Sequence, residues 1–405
     1  MKVSQDTRTI KPGEWFVPVK GEHYDGHRFI PEALKKRAAG VLEVAGLYAL
    51  AKQKIKKLKP KVIAITGSYG KTGTKEAISK VLKCRFNVSK TEGNLNTPLG
   101  VAIEVVNNFK PGHQIFVAEV GMDHLGEIRE SCELIKPQVG VITSVGEMHL
   151  EKLNTLKNIK KAKSELLELL PYNGVAILNG DDGNVREIAK RFSGRKIWYG
   201  SSPKADVSYF RIKDLRFRLL GEGRRYAALA AYAVGRLFKI PEVEIIKALE
   251  SLRPQKGRLN PLPGKNGSMI IDDTYNAGPR SMEAALEVLK NFPAKRRIAI
   301  LGDMLELGKL EEQAHLTVLA YAFEVADIVV LVGERMNHAL NQYLHTILAD
   351  RTKLVTIDRL RLKKGDVVLV KGSQGMRMER IAKKLLEDEA KAAKLLVRQD
   401  PQWIC

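Results

Sequence analysis

The sequence predicts an α/β fold of three domains: a small N-terminal α/β domain over residues 1–58, a central parallel-sheet domain over 59–257, and a C-terminal Rossmann-like domain over 258–405. Three observations support this prediction. The chain has 405 residues, enough for roughly two to three domains. Apolar segments of strand length alternate with helical patterns in two separate stretches, which is typical of parallel sheets. The segment "RPQKGRLNPLPGKNG", rich in proline and glycine, separates the two stretches.

The first two domains differ in their sequence pattern. Residues before about 58 combine turn-rich pieces such as "KPGEWFVPVKGEHYDGH" with one helix-like stretch. From Lys59 onward, four segments are typical of buried strands: "KVIAITG", "QIFVAEVG", "VGVITSVG" and "GVAILNGDD". Residues 72–82 have a helical pattern. Because the apolar runs are continuous rather than alternating, we expect a parallel sheet with helices on both faces.

A second alternation begins near Ser268. The segments "MIIDD", "RIAILGD", "DIVVLVG" and "DVVLVKG" have the pattern of strands, and residues 281–291 and 311–325 have the pattern of helices. This order predicts a separate, smaller Rossmann-like sheet in the C-terminal domain.

Charge and composition narrow the class of protein. The chain has a formal charge of +22, from 68 basic and 46 acidic residues, and its densest basic cluster is "KQKIKKLKPK", Lys52 to Lys61. Such a charge attracts polyanions in general. Aromatic residues make up only 6% of the chain, however, and no aromatic RNA-binding motif accompanies the lysines. We therefore interpret the cluster as a solvated helix face and expect no nucleic-acid partner.

Targeting and cysteine patterns indicate a cytoplasmic protein. The segment "MKVSQDTRTIKPGEWFVPVK" lacks the apolar core of a secretory signal, and no apolar run approaches the roughly 18 residues of a membrane-spanning helix. The three cysteines, Cys84, Cys132 and Cys405, are far apart and odd in number, which fits neither a disulfide framework nor a CxxC metal site. We expect no membrane insertion.

The most informative motif is "VIAITGSYGKTGTKE", Val62 to Glu76. The usual phosphate-binding loop, G-x-x-x-x-G-K-[ST], requires a glycine where this chain has Ile65. The motif nevertheless lies between a predicted strand and a predicted helix, so backbone N–H groups and a helix N-terminus can face an anion. Lys71 can reach phosphates, and the Thr72 hydroxyl can bind Mg²⁺. The alternative is a helix-entry turn with an incidental lysine.

Three further residues suggest catalytic chemistry. Glu119 ends one predicted strand and His149 follows the next, so both are candidates for a cation site or for structural residues. Lys163 lies on the apolar stripe of a predicted helix, four residues after Ile159 and three before Leu166. It is either a lysine that snorkels to the solvent or one with a depressed pKa that reacts as a neutral amine.

Taken together, these motifs resemble those of the Mur ligases, ATP-dependent amide-forming enzymes of peptidoglycan precursor synthesis. The resembling segments follow the family order over nearly the whole chain: "DTRTIKPGEWFVPVKGEHYDGHRFI", "TGSYGKTGTKE", "TEGNLNTPLGV", "EVGMDHLGEI", "HLEKLNTLKNIKKAKSE", "LNGDD", "IDDTYNAGPRSMEAAL", "LGDMLELG" and "VLVKGSQGMRME". Mur ligases carry a G-x-x-G-K-T loop, so the resemblance also accounts for Ile65 and implies that the central domain is a P-loop ATPase domain.

The resemblance implies ATP and Mg²⁺ as cofactors and assigns residues to them. The ATP-binding residues would be Gly67, Ser68, Tyr69, Gly70, Lys71, Thr72, Gly73, Arg258, Asp273 and Asn276. Two Mg²⁺ ions would be held by Thr72, Glu119, His149 and Lys163, the last as a carbamate. Lys71, His149 and Lys163 would be the catalytic residues. For Asp273 and Asn276, a turn that caps the following helix is an alternative that can hold at the same time.

The resemblance also implies the substrates. The small substrates would be a UDP-MurNAc-tripeptide and the dipeptide D-Ala-D-Ala, joined through an acyl phosphate by a monomeric enzyme. The substrate-binding residues would be Thr7, Arg8, Asp25, Gly26 and His27 in the UDP-binding segment, and Asn94, Asn96 and Thr97 in the central domain. Two alternatives stay open: a Mur-like ligase of the folylpolyglutamate or poly-γ-glutamate type that adds a single amino acid, and a basic nucleic-acid-binding ATPase.

The sequence departs from the family pattern in three places. The N-terminal domain is short, and the stretch between "LNGDD" and the helix at 227–238 is compressed. In that stretch Gly223 and Arg224 replace the usual His and Asn. In "KGSQGMRME", Gln374 occupies a position where arginine is common. The segments expected to bind ATP are intact, so these departures affect the expected identity of the acceptor peptide and of the incoming amine more than the amide-forming chemistry.

Overall fold

The structure is a computed structural model that describes residues 1–21, 24–93, 95–146, 150–212, 215, 220–346, 354–399 and 403. Its contacts divide the chain into two compact units. Unit 1 comprises Met1–Glu147, Lys152–Leu215 and Arg225–Ser251, and unit 2 comprises Met148–Glu151, Arg216–Arg224 and Leu252–Cys405. Within the described part of the chain, no helix has both the length and the apolar character needed to cross a membrane.

Unit 1 begins with a small sheet of three short parallel strands in the order β1-β2-β3. The strands are β1 (Val3–Ser4), β2 (Trp15–Phe16) and β3 (Gly40–Val41), and the helices are α1 (Ile30–Lys35) and α2 (Val44–Leu58). Ile10, Phe16 and Ala33 form its buried core. The expected N-terminal α/β architecture is therefore confirmed, while the domain boundary at residue 58 stays a prediction.

The main sheet of unit 1 has seven parallel strands in the order β10-β9-β8-β7-β4-β6-β5. They are β4 (Lys61–Thr66), β5 (Val88–Lys90), β6 (Ile115–Glu119), β7 (Val139–Ile142), β8 (Val175–Asn179), β9 (Arg195–Gly200) and β10 (Val207–Ser208). The helices in this part of the chain are α3 (Lys71–Leu82), α4 (Pro98–Asn108), α5 (Glu127–Ile135), α6 (Leu150–Leu153), α7 (Leu156–Glu168), α8 (Gly183–Ala189), α9 (Gly223–Leu237) and α10 (Glu242–Glu250).

The position of β4 determines where a ligand can bind. Every residue of β4 after Lys61 is buried, as are all residues of its neighbours β6 and β7, so the continuous apolar runs did predict a sheet covered on both faces. From β4 the chain passes through β5 to β6 on one side, and then continues with β7 on the other side. In open α/β sheets, ligands bind beyond the carboxyl ends of the strands at such a reversal.

Unit 2 contains a five-stranded sheet in the order β11-β12-β15-β13-β14. Its strands are β11 (Asn260–Gly264), β12 (Ser268–Asp273), β13 (Arg296–Gly302), β14 (Ile328–Val332) and β15 (Asp366–Lys371). Its helices are α11 (Pro279–Asn291), α12 (Glu311–Val325), α13 (Glu334–Thr346), α14 (Glu379–Leu385) and α15 (Ala392–Leu395). The four strands and two helices that the sequence predicted here are confirmed.

Strand β11 was not predicted. It lies in the segment that the sequence analysis interpreted as a boundary, and it pairs antiparallel with β12 although it contains Pro261 and Pro263. A central strand forms hydrogen bonds with a neighbouring strand on each side, and proline has no backbone N–H to donate to them. Proline is therefore tolerated at a sheet edge, where one side has no neighbouring strand. The edge position explains why a segment rich in proline can still be a strand.

Candidate active site

The predicted phosphate loop connects β4 to α3 and is held by the segment that follows β7. The backbone N–H of Ser68 donates to the carbonyl of Ser144 at 2.9 Å. The backbone N–H of Tyr69 donates to Ser144 Oγ, also at 2.9 Å. Thr143 Oγ1 donates in return to the Tyr69 carbonyl at 2.6 Å. The loop therefore takes its shape from the end of a neighbouring strand.

Two glycines are required by this shape, for different reasons. Gly70 has φ 82° at the start of α3, a left-handed backbone conformation that residues with a side chain rarely adopt. Gly67 has φ 153°, and a Cβ atom there would lie 1.9 Å from Thr143 Oγ1. Ile65, by contrast, is a fully buried residue of β4 paired with β6 and β7. The loop is thus shorter than the usual motif because β4 continues one residue beyond Ile65, to Thr66.

We expect Gly67→Ala to distort the loop. The added methyl must displace Thr143, so the midpoint of thermal unfolding should fall by more than about 5 °C, and affinity for ADP should fall with it. Gly13→Ala is the matched control, because Gly13 also has positive φ (83°) but no described atom lies within 4 Å of the place its methyl would take; it should cost about 2 °C. Equal shifts in the two variants, with ADP affinity unchanged in both, would contradict this role of Gly67.

Lys71 contacts the backbone of the predicted phosphate loop, and the Ser68 side chain contacts the backbone of the segment after β7. Lys71 is the first residue of α3, and its Nζ donates to the carbonyls of Gly67 at 2.6 Å and Ser68 at 3.3 Å. Ser68 Oγ donates to the Gly146 carbonyl and accepts from the Gly146 N–H, both at 2.9 Å. The ammonium of Lys71 therefore lies over the loop, and the Ser68 side chain helps to fix the loop's position.

Glu119 is buried at the carboxyl end of β6, with 3% of its surface exposed. Its Oε1 accepts from Asn96 Nδ2 at 3.0 Å, its backbone N–H donates to Thr91 Oγ1 at 2.9 Å, and its Oε2 lies 3.3 Å from Lys75 Nζ. Lys75 was missed by the sequence analysis. The available signal was its position in α3 four residues after Lys71, which puts both lysines on one face of the helix.

Lys163 is buried in α7, with 2% of its surface exposed. Its Nζ donates to Thr66 Oγ1, at the end of β4, over 3.4 Å. The pKa of the Lys163 ammonium lies well below its usual value, mainly because of burial and secondarily because of the positive charge of Lys71. Glu165 and Glu119 have the opposite effect and raise this pKa. The snorkelling alternative is therefore wrong, because the Lys163 side chain does not reach the solvent.

Glu165, two residues further along α7, fixes this helix to α5. One of its carboxylate oxygens accepts from the Gly126 N–H at 2.8 Å and the other from the Arg129 N–H at 2.9 Å. Donors at the N-terminus of α5 have no partner within the helix, and a carboxylate there is also favoured by the helix dipole. Because these hydrogen bonds fix α7, they also fix the position of Lys163 beside the end of β4.

Two of the other predicted residues of the central domain, Thr97 and Asn96, form hydrogen bonds of different kinds. Thr97 is the N-cap of α4, and its Oγ1 accepts from the Gly100 N–H at 3.2 Å. Asn96 contacts Glu119, as described above, and its carbonyl accepts from the Gly121 N–H at 2.7 Å. Asn94 and His149 lie outside the described residues, so their assignments stay predictions.

The predicted UDP-binding residues form two separate sets of local contacts. The Thr7 carbonyl accepts from Lys36 Nζ at 2.8 Å, and Arg8 forms an ion pair with Asp6 at 2.8 Å. In the second set, Asp25 caps a short 3₁₀ helix. Its Oδ1 accepts from the His27 N–H at 3.0 Å, which lowers the pKa of Asp25, and Gly26 lies against the Val19 backbone, where a Cβ would come within 2.6 Å.

In unit 2, Asp273 ends β12, Asn276 follows this strand, and Lys371 at the end of β15 contacts both. Lys371 Nζ lies 2.7 Å from Asp273 Oδ2 and donates to the Asn276 carbonyl at 2.8 Å. Asp273 Oδ1 accepts from the Leu259 N–H at 3.0 Å. Asn276 Oδ1 accepts from the Gln374 N–H at 3.2 Å. Lys371, buried in "VLVKGSQ", was not singled out from the sequence, although its motif was.

Arg258 lies beside the same segment. Its guanidinium stacks over the Tyr275 ring at 3.9 Å, and its carbonyl accepts from the side chain of Arg224. Arg224 is one of the two residues that depart from the family pattern, and burial lowers its pKa to about 10. The arginine at this position thus supports the segment that carries Arg258.

Comparison with known proteins identifies the class. The sequence matches the Mur ligase middle domain over residues 65–234 and the Mur ligase, glutamate ligase domain over residues 257–374. A relative from Bacillus subtilis (strain 168) is 31% identical, with 95% of this chain and 93% of the relative aligned. The chain belongs to the Mur ligase family, and the resemblance found in its motifs is confirmed.

Several of the relatives and solved structures bear the name of one branch of the family. The Bacillus subtilis protein is named UDP-N-acetylmuramoyl-tripeptide--D-alanyl-D-alanine ligase, as is one from Escherichia coli (strain K12) that is 31% identical over 95% of this chain and 94% of its own. The crystal structure of MurF ligase from Thermotoga maritima in complex with ADP has a TM-score of 0.81 and 27% identity, and covers 97% of this chain and 98% of its own. A MurF structure from Acinetobacter baumannii has a TM-score of 0.82 and 27% identity, with 96% and 93% covered.

Proposed function

We propose that this chain is an ATP-dependent ligase that adds D-Ala-D-Ala to UDP-MurNAc-tripeptide in peptidoglycan precursor synthesis. The observation that carries the proposal is the grouping in unit 1 of a phosphate loop, the carboxylate of Glu119 and the buried amine of Lys163 at the ends of β4 and β6. The names of relatives that align over nearly the whole chain supply the substrates. The reaction passes the γ-phosphoryl group of ATP to the tripeptide carboxylate, and the dipeptide amine then displaces phosphate from the acyl phosphate.

The phosphate loop contributes positioning and positive charge. The backbone N–H groups at the start of α3 and the ammonium of Lys71 present donors to an anion. Phosphoryl transfer involves little covalent participation by the protein, so its catalysis consists mainly of positioning and electrostatic stabilisation. Lys71 is proposed to stabilise the negative charge that develops on the transferred group.

Oxygen donors in unit 1 fit Mg²⁺. The Thr72 hydroxyl at the start of α3 and the Glu119 carboxylate at the end of β6 are hard ligands of the type that this ion prefers, with substrate phosphates completing its shell. We assign Thr72 and Glu119 to one Mg²⁺ and, on the family resemblance, His149 to a second. Bound Mg²⁺ would neutralise charge on the phosphates.

Lys163 is proposed to carry a carbamate. A neutral amine adds to CO₂, forming an N–C bond and releasing one proton, and the product is negatively charged. Only an amine with a lowered pKa is neutral often enough for this reaction, and burial gives Lys163 that property. The carbamate would replace a positive side chain with oxygen ligands suited to Mg²⁺.

The remaining assignments are also proposals. Asp273, Asn276 and Arg258 are proposed to bind the nucleotide, with Lys371 positioning the first two. Thr7, Arg8, Asp25, Gly26 and His27 are proposed to bind the UDP group, and Asn94, Asn96 and Thr97 the peptide part of the substrate. We place the enzyme in the cytoplasm, because ATP and UDP-linked precursors are found there, and we propose that it acts as a monomer.

Substrate requirement tests this function. Phosphate release should need ATP, Mg²⁺, UDP-MurNAc-tripeptide and D-Ala-D-Ala together, and omission of any one should reduce the rate to background. Single amino acids such as D-alanine or L-glutamate should not replace the dipeptide. Equal rates with a single amino acid would move the chain to the alternative of a ligase that adds one residue, and phosphate release stimulated by RNA or DNA would favour the nucleic-acid alternative.

A further inference from the structure

Lys75 is a buried cation that the proposed mechanism does not use. It lies in the second turn of α3 with 1% of its surface exposed. Its Nζ is 3.3 Å from Glu119 Oε2 and 3.5 Å from the Gly93 carbonyl. Lys75 thus contacts the carboxylate that the proposed function assigns to Mg²⁺.

Stability alone is a weak reason for this ion pair. Removing a lysine and a glutamate from water has a large desolvation cost, and replacing a buried pair with apolar residues is often neutral or stabilising. In α3, Ala77 and Ile78 are buried apolar residues, while Thr74 and Ser79 are buried polar residues. The helix therefore buries apolar and small polar side chains near position 75, and a buried ammonium paired with Glu119 is not explained by stability alone.

We propose that Lys75 makes Mg²⁺ binding at Glu119 conditional on bound ATP. The inference rests on the proposed assignment of Glu119 to Mg²⁺. Without nucleotide, the Lys75 ammonium is the cation beside Glu119, and Lys71 adds a second positive charge one helical turn earlier, so a divalent ion is repelled. The triphosphate brings several negative charges to the loop, which offset both lysines and supply further oxygen ligands. Metal and nucleotide then bind together rather than in either order.

Direct binding of Mn²⁺, used as a paramagnetic substitute for Mg²⁺, tests the proposal without measuring catalysis. Free Mn²⁺ is counted by electron paramagnetic resonance in solutions of the full chain, with and without the non-hydrolysable ATP analogue AMP-PNP. Lys75→Gln removes the charge but keeps a hydrogen-bond donor, and Lys75→Arg keeps the charge. Lys90→Met is the matched control, because it removes a lysine from a neighbouring ion pair, with Glu76, that does not contact Glu119.

The expected result is specific to charge. Lys75→Gln should bind Mn²⁺ at least ~10-fold more tightly than wild type in the absence of nucleotide, whereas Lys75→Arg and Lys90→Met should behave like wild type. With AMP-PNP present, the difference between wild type and Lys75→Gln should shrink to a few-fold. Adding Glu119→Gln to Lys75→Gln should abolish the gain, which shows that the new site uses Glu119.

Two other outcomes separate failure of this inference from failure of the proposed function. If wild type, Lys75→Gln and Lys75→Arg bind Mn²⁺ equally without nucleotide, while Glu119→Gln weakens Mn²⁺ binding with AMP-PNP, the metal site stands and the role of Lys75 is refuted. If Glu119→Gln changes Mn²⁺ binding under neither condition, the assignment of Glu119 to the metal is refuted, and the inference falls with it. Thermal unfolding of each variant confirms that folded protein is compared.

Discussion

Lys163→Arg is expected to be nearly inactive, with kcat lowered by ~10²–10³-fold or more. Arginine is similar to lysine in length, but its guanidinium stays protonated at any usable pH and cannot form a carbamate. The site would then hold a buried positive charge where the mechanism needs negative oxygens. Phosphate release measures the effect. Lys161→Arg is the control, because Lys161 lies on the exposed face of the same helix and should keep full activity.

Lys163→Ala tests the same role in the opposite way. The truncated side chain leaves a gap beside Thr66, which acetate or propionate can enter to supply the missing carboxylate. We expect Lys163→Ala to be inactive and to regain part of its activity as the carboxylate concentration rises, whereas Lys163→Arg should not respond. An active Lys163→Arg enzyme, or a Lys163→Ala enzyme insensitive to both carboxylates, would end the carbamate proposal.

Lys71→Ala is expected to lower kcat at least ~10²-fold, equivalent to about 3 kcal/mol of transition-state stabilisation. The ammonium contacts the loop through two carbonyls and is not part of an apolar core, so the midpoint of thermal unfolding should stay near that of wild type. Lys80→Ala removes an exposed lysine from the last turn of the same helix and should leave kcat unchanged. Full turnover by Lys71→Ala would reduce the loop to a helix-entry turn.

The sequence predicted the elements whose signal is local. Continuous apolar runs identified four strands of the seven-stranded sheet (β4, β6, β7 and β8) and four of the five-stranded sheet (β12 to β15), because burial on both faces excludes polar residues from each run. The sequence located the loop between β4 and α3 although Ile65 breaks the usual spacing, since the strand, the two glycines and the helix are contiguous; its role in phosphate binding stays a prediction. Lys163 stood out because a charged residue on an apolar stripe contradicts the local pattern, and the structure confirms that it is buried.

Contacts between distant segments could not be predicted in the same way. The pairing of Lys75 with Glu119 joins α3 to β6 across 44 positions of sequence, and Lys371 meets Asp273 across 98. In neither pair does the sequence around one residue indicate which distant residue it contacts. Strand β11 was missed for a different reason, because Pro261 and Pro263 are typical of linkers and only the edge position makes them compatible with a sheet.

The departures from the family pattern have partly structural explanations. Arg224, in place of the usual Asn, donates to the carbonyl of Arg258 and so supports a residue assigned to nucleotide binding. Gln374, where arginine is common, donates its backbone N–H to Asn276 Oδ1, a contact that does not depend on the side chain. Nothing in the structure explains Gly223.

The identity of the added group is the central claim, and the mass of the product tests it most directly. The enzyme is incubated with ATP, Mg²⁺ and UDP-MurNAc-tripeptide in the presence of D-Ala-D-Ala, D-alanine and L-glutamate at equal concentrations, and the UDP-linked products are analysed by mass spectrometry. The proposed function predicts that nearly all product carries one D-Ala-D-Ala unit and that ADP forms in equal amount. A product extended by a single amino acid, or ADP formed without any UDP-linked product, would contradict it.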